Sequence, residues 1–217
     1  SCARAGPLPP SMQVEVWDAL VRPVLLHGVE LWGAYPPASG APGIGRRRVE
    51  SSHTSFLRGL LATRAATPEL VVMAETGRFP LALFIARQVY ATWRRLHALD
   101  DDDRWVVRAA LRDSEALADE GGSSWAGAVR ELMTTLELTG AETPVELEER
   151  LRREYAARLS AADGTKTAFY RDAVRGWSGG VDIKDWSAPE YLRVALPAGR
   201  RDALARLRCA SHFLRVE

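Results

Sequence analysis

The apolar residues of this chain recur three and four positions apart along its length, and no segment sustains an alternation of apolar with polar residues. Spacing of that kind gathers apolar side chains on one face of a helix, whereas a half-buried strand needs period two. The chain therefore reads as all-α, an irregular multi-helix bundle of about nine helices with no significant sheet. At 217 residues it has room for one or two domains, and 47% hydrophobic residues supply a real core.

Helix by helix, the spacing predicts the following order. Pro9 to Leu20 opens the chain, with Pro23 set to kink or restart the helix because it lacks a backbone donor. Residues 34–45 hold three prolines and three glycines and read as a loop. A helix starts near Arg46, with Val49, His53, Phe56, Leu57 and Leu60 on one stripe. Thr67 is the expected N-cap of the next helix, which stops at Gly77. Pro80 opens a helix to about Leu99, and another follows from Trp105. Ser123 or Ser124 caps the next. Thr143-Pro144-Val145-Glu146 is a capping box that opens a helix to about Ala162, with Leu147, Leu151, Tyr155 and Leu159 on one face. Helices over 165–177, 188–196 and 198–211 complete the chain, the first ended by Gly179-Gly180. The organisation expected is 1–33, a loop at 34–45, a bundle at 46–120 and a C-terminal helical region at 123–217, with hinges at 34–45, 121–122 and 178–181.

The net charge of +1 excludes a wholly polybasic nucleic-acid binder. The charge is uneven, however. Residues 1–99 carry 11 basic and 6 acidic side chains, 100–163 carry 8 and 16, and 164–217 carry 10 and 6. A polyanion would favour the ends. The candidates are Arg46, Arg47 and Arg48, then Arg200 and Arg201. A solvated helix start is the plainer role for the arginine triplet. No apolar run reaches the ~18 residues of a membrane span. Two cysteines, Cys2 and Cys209, form no disulfide framework, so a reduced intracellular compartment, nucleus or cytoplasm, is expected.

Catalytic and metal-binding patterns are weak. Asp100 to Asp103 invites a two-metal reading, but that chemistry needs a second converging carboxylate, and an acidic run before a helix already suits the helix dipole. Cys209-x-x-His212 has a ligand-like spacing without the second pair that structural zinc requires, and His27, His53 and His97 supply none. Gly43-Ile44-Gly45 lacks the strand and the Gly-Lys-Ser/Thr of a phosphate loop. No catalytic residue, metal ligand or cofactor is assigned. Glu30 lies in an apolar stretch, so its carboxylate needs Arg22, Arg58 or solvent.

Several stretches have a familiar pattern. Leu20 to Gly33, with Gly28, Glu30 and Trp32, resembles the segment just after the catalytic palm of reverse transcriptases from non-LTR, LINE-like retrotransposons; His27 stands where the family usually has Tyr. Phe56-Leu57-Arg58-Gly59-Leu60-Leu61 is similar to a family element. So is Glu75-Thr76-Gly77-Arg78-Phe79-Pro80-Leu81, which looks like the Glu-x-Gly-x-x-Pro-Leu joint and is the most specific of them. Tyr191-Leu192 and the run Arg201, Leu204, Arg208, Ser211, His212 and Leu214 are similar to the family's C-terminal segment. The resemblance makes Gly28, Glu30, Trp32, Glu75, Gly77, Pro80, Arg208 and His212 structural motif residues. It implies a non-catalytic fragment, the end of the thumb and the helices after it. Such a fragment would support RNA or DNA template–primer binding by the parent RNA-directed DNA polymerase, beside its own palm upstream and ahead of a C-terminal nucleic-acid-binding element. Opening on Ser1, the chain reads as a fragment or a processed piece. The alternative is a helical protein-interaction or scaffold domain, or a degenerate remnant without present function.

Overall fold

The computed structural model describes residues 8–35, 43–99, 105–194 and 196–211, apart from the side chains of 43–47. The described residues are all-α, with eleven α-helical segments and no strand. They fall into two compact units. The first comprises Ser1–Leu25, Ser51–Pro80 and Arg152–Glu217; the second comprises Leu26–Glu50 and Leu81–Leu151.

The first unit opens with α1 (Pro10–Val16), a π-helical turn over Trp17–Val21 and α2 (Arg22–Leu25). Pro23 explains the turn. Its ring crowds the carbonyl four residues back and it offers no N–H, so the ladder reaches one residue further. The Arg22 N–H accordingly bonds the Trp17 carbonyl. Trp17 is buried and stacks on His53 and Phe56 of α4 (Gly43–Leu60) at 4.9 and 5.3 Å.

The heart of this unit is α5 (Glu69–Thr76). Val71, Val72, Met73, Ala74, Glu75 and Thr76 are all buried, as in a helix enclosed on every side. Thr67 is not its cap: Pro68 takes that position, and the Thr67 hydroxyl instead donates to Ser211 Oγ at 3.0 Å. Gly77 ends the helix at φ +66°, and Arg78 N–H closes back on the Met73 carbonyl at 2.9 Å.

Later elements of the first unit depart from the sequence expectation. The helix after Thr165 is α10 (Thr165–Phe169) followed by a π turn over Tyr170–Val174. It stops at Gly176 (φ +68°), before Gly179-Gly180, because Trp177 N–H turns back to the Arg171 carbonyl at 2.9 Å. The expected helix over 188–196 is only a 3₁₀ turn at Glu190–Leu192. Buried Leu192 and the Tyr191 hydroxyl anchor that short segment between Pro189 and Pro197. The closing helix, α11 (Ala198–Arg208), ends three residues early, with Ala210 at φ +47°.

In the second unit α3 (Val29–Trp32) is entered through Gly28 at φ +65°. It packs on α6 (Leu81–His97), which with α7 (Trp105–Asp119) and α8 (Trp125–Thr135) makes the bundle. Ser124 caps α8 by accepting from Gly127 N–H. The capping box of α9 (Pro144–Ala161) forms as read: Thr143 N–H donates to Glu146 at 2.7 Å and Glu146 N–H to Thr143 Oγ1 at 3.2 Å. Ala86, Tyr90, Leu147 and Leu151 form a core cluster here. From Arg152 onward α9 belongs to the first unit, where Tyr155 and Leu159 continue its apolar face and are buried.

Candidate functional site

Glu75 is the most constrained polar group among the described residues. Burying a carboxylate is costly unless it is paired and its lone pairs are satisfied. Glu75 is fully buried, and each oxygen receives two donors. Oε1 accepts from the Tyr191 hydroxyl at 2.7 Å and from Arg208 Nε at 2.5 Å. Oε2 accepts from the Tyr170 hydroxyl at 2.9 Å and from a terminal Arg208 nitrogen at 3.2 Å. The Arg208 guanidinium also stands over the Tyr191 ring, 5.6 Å from its centre.

This geometry favours the neutral form of the two tyrosines and of Cys209, and the charged form of Arg208. Burial pushes the Tyr170 and Tyr191 hydroxyls above the ordinary phenol value, and the Glu75 charge pushes them further. Burial, then Glu75, raises the Cys209 thiol as well. Burial works against the Arg208 charge, but the hydrogen bonds and charge of Glu75 outweigh it and raise the group. A carboxylate that already accepts four hydrogen bonds has no lone pair left for a substrate or a metal. The cluster is a lock: it ties α5 to the turn at Tyr170, the turn at Tyr191 and α11.

A second tie lies close by in the chain. Ser211 Oγ accepts from Arg64 N–H at 2.9 Å as well as from Thr67, and Arg206 Nε donates to the Ala62 carbonyl at 2.8 Å. Gly77 sits against the segment that carries Tyr191: a Cβ there would lie 2.4 Å from Ala188 N and 2.9 Å from the Ser187 carbonyl carbon. Beside this joint Arg78 pairs with Asp18, and Trp186 Nε1 donates to the Arg78 carbonyl at 2.9 Å. A cleft of about 350 Å³ opens there, lined by Val14, Asp18, Thr76, Trp186 and Leu192 among others.

The structure thus brings Glu75 and Arg208 together and places Gly77 at a close backbone approach; Pro80 is buried just before α6. Gly28, Glu30 and Trp32 belong to the second unit. Trp32 Nε1 donates to the His27 carbonyl at 2.9 Å, and the Glu30 carbonyl accepts from Trp125 Nε1 at 2.8 Å. Glu30 itself is half-buried. Arg22 stands 3.7 Å from Asp18, and Arg58 donates to the Thr67 carbonyl at 3.2 Å.

The arginine candidates divide. Arg48 and Arg200 are exposed. The Arg201 side chain is only 11% exposed and meets Asp202 at 3.3 Å, so less of its charge faces solvent. The side chains of Arg46 and Arg47 lie outside the described residues, as do Asp100 to Asp103 and His212. Many other arginines are engaged internally. Arg171 donates to the carbonyls of Ser160 and Ala162 at 2.8 and 3.0 Å, capping the end of α9, and Arg175 donates to those of Asp185 and Ser187. Among the described residues no group of three or more His, Cys, Asp or Glu is placed to hold a metal, and no helix is long and apolar enough to cross a membrane.

Tyr170 was not legible as part of this cluster, because a tyrosine on a helical stripe reads as core. Glu75 had a signal: it directly follows the apolar run Leu70–Ala74, where an acid needs a partner. No protein-family model matches the chain, and no curated protein or solved structure is significantly similar to it.

Proposed function

We propose that the chain is a non-catalytic helical part of a LINE-like reverse transcriptase, which supports template–primer binding and links the polymerase to a C-terminal nucleic-acid-binding element. One observation carries this reading. Three of the stretches that resemble the family lie far apart in the sequence and come together within the first unit. Arg208 of the C-terminal stretch closes on Glu75 of the Glu-x-Gly-x-x-Pro-Leu stretch, and Ser211 closes on the loop that follows Phe56–Leu61. The saturated Glu75 cluster suits a supporting role, since it builds a rigid element and offers no chemistry.

The test is the adjoining coding sequence. Translated in frame, it should encode an aromatic-x-Asp-Asp hairpin upstream and a Cys-x-x-Cys…His…Cys cluster downstream, a small zinc module with too little core to fold alone. An unrelated domain on either side would overturn the reading. A second reading, a helical protein-interaction domain, is favoured by a different observation: a row of apolar side chains on the first helix faces solvent.

A further inference from the structure

The exposed row consists of Met12, Val16, Leu20 and Val24, which are 46%, 44%, 67% and 74% accessible. Four-residue steps do not stay in line on a plain α-helix. Each drifts by roughly 40°, so Met12 and Val24 would point about 120° apart. The π turn over Trp17–Val21 corrects this, because it takes up one extra residue in the coil. What remains between Met12 and Val24 is equivalent to about eleven α-helical residues, close to three whole turns. The four side chains therefore lie within roughly 60° of one another, on one face of the coil, and Pro23, itself exposed, is the residue that enforces the turn.

The stripe has a second property. It alternates long and β-branched side chains: Met, Val, Leu, Val. Reversed about Asp18, it sets Met12 opposite Val24 and Val16 opposite Leu20. Each long side chain then faces a short one, the arrangement that lets two faces interdigitate. We infer that this stripe is a self-complementary docking surface on which a second copy of the chain packs antiparallel, around a two-fold axis at Asp18.

Charge and area narrow the occupant. Among the described residues of this segment Glu15 is the exposed charged residue that borders the stripe, and a carboxylate there disfavours a polyanion or an anionic bilayer. In the antiparallel pair the two Glu15 side chains sit six residues apart along the axis, about 9 Å, which keeps their repulsion small. Two helices in contact over about four turns bury on the order of 800–1,000 Å² in total, the low end for specific association. The dimer is accordingly weak and reversible. It stands whether the parent is a polymerase or an interaction protein.

Sedimentation of the full chain over a wide concentration range tests it. The chain should move from monomer to dimer, and Leu20→Glu, an exposed position, should raise the dissociation constant at least about ten-fold with unchanged helical circular dichroism. In a Cys2→Ser background, Val16→Cys with Leu20→Cys should form an intermolecular disulfide, whereas either substitution alone should not. A monomer at every concentration overturns the proposal, as does a dimer indifferent to Leu20→Glu. Cross-linking by Val16→Cys alone would mean parallel pairing and overturn the antiparallel axis. A monomer that co-sediments with phosphatidylcholine vesicles, and loses that with Leu20→Glu, would give the stripe to a membrane surface. A monomer that ignores vesicles would leave it to a different polypeptide; both outcomes count against the second copy.

Discussion

Glu75 and Arg208 are separated by 133 positions in the chain, and the Arg208 Nε stands 2.5 Å from the Glu75 carboxylate at the centre of the first unit. The glutamate is fully buried and the arginine 23% exposed, so the pair is asymmetric: loss of Arg208 strands a buried charge. Breaking a buried pair from one side costs about 3–5 kcal/mol, and partial exposure of Arg208 places this one near 3. Glu75→Ala and Arg208→Ala should each lower the urea midpoint accordingly. The double substitution should cost less than the two added together, by about 1 kcal/mol or more. Simple additivity would show that the two residues stabilise the fold independently.

The same cluster makes alkaline pH destabilising. Tyr170, Tyr191 and Cys209 all have values raised in the folded chain, by burial first and by Glu75 second. A raised value means the neutral form is favoured on folding. The contribution is therefore complete below the ordinary thiol and phenol values, 9.0 and 10.0, and is lost progressively as pH rises beyond them. The melting midpoint should fall from about pH 9 upward, and Tyr170→Phe should make that fall shallower. Cys209 should resist a thiol reagent until the chain unfolds. A flat alkaline profile would mean that the cluster opens to water.

Gly77 and Gly176 separate two costs that are usually confounded. Both have positive φ, +66° and +68°. A Cβ at Gly176 meets nothing within 4 Å, whereas one at Gly77 overlaps the backbone of Ser187 and Ala188. Gly176→Ala should cost about 1 kcal/mol, the conformational penalty alone. Gly77→Ala should cost distinctly more, because the 187–188 segment must move and carries Tyr191 with it. Equal urea midpoints for the two variants would refute the close approach.

The helical order was readable because its signals are local. Ser124, the Thr143–Glu146 box and Gly77 act within one turn of their own helix, and each occupies the position that the sequence suggested. The departures arise where distant partners decide. Thr67 looks like a cap but turns to Ser211, 144 positions away. The 188–196 stretch has helical spacing, yet the bond from Tyr191 to Glu75 and the prolines on either side leave it one 3₁₀ turn. The π turn at Trp17–Val21 follows from Pro23, but a proline signals only that the ladder must break, not how it is repaired. The Glu75 cluster joins four segments of chain, and no periodicity within one segment points to the other three.

The capping box of α9 should weaken in acid. The Thr143 N–H, and then its hydroxyl, hold the Glu146 carboxyl below the usual range. A depressed value stabilises the folded chain above the ordinary carboxylate range, and that contribution is lost as pH falls through the folded value. The difference in melting midpoint between the chain and Glu146→Gln should therefore be present at neutral pH and shrink toward zero in acid. A difference that persists when both side chains are uncharged would assign the cap to shape rather than charge.

Nucleic-acid binding by the isolated chain should be weak, salt-sensitive and indifferent to sequence. The net charge is only +1, and guanidiniums such as those of Arg171, Arg175 and Arg208 are turned onto carbonyls and carboxylates within the first unit. Each phosphate neutralised contributes about −0.9 to the slope of log affinity against log salt on duplex DNA, so the slope counts the free arginines that take part. Replacing Arg46, Arg47 and Arg48 with Ala should flatten that slope most. Replacing Arg200 and Arg201 should flatten it less, since Arg201 is already held by Asp202. The purified chain should also show no metal-dependent nucleotide incorporation that Asp100 to Asp103→Asn abolishes, because the second carboxylate cluster of two-metal chemistry has no counterpart in the sequence. Tight binding at high salt, or binding unchanged by either set of arginine replacements, would contradict the electrostatic account.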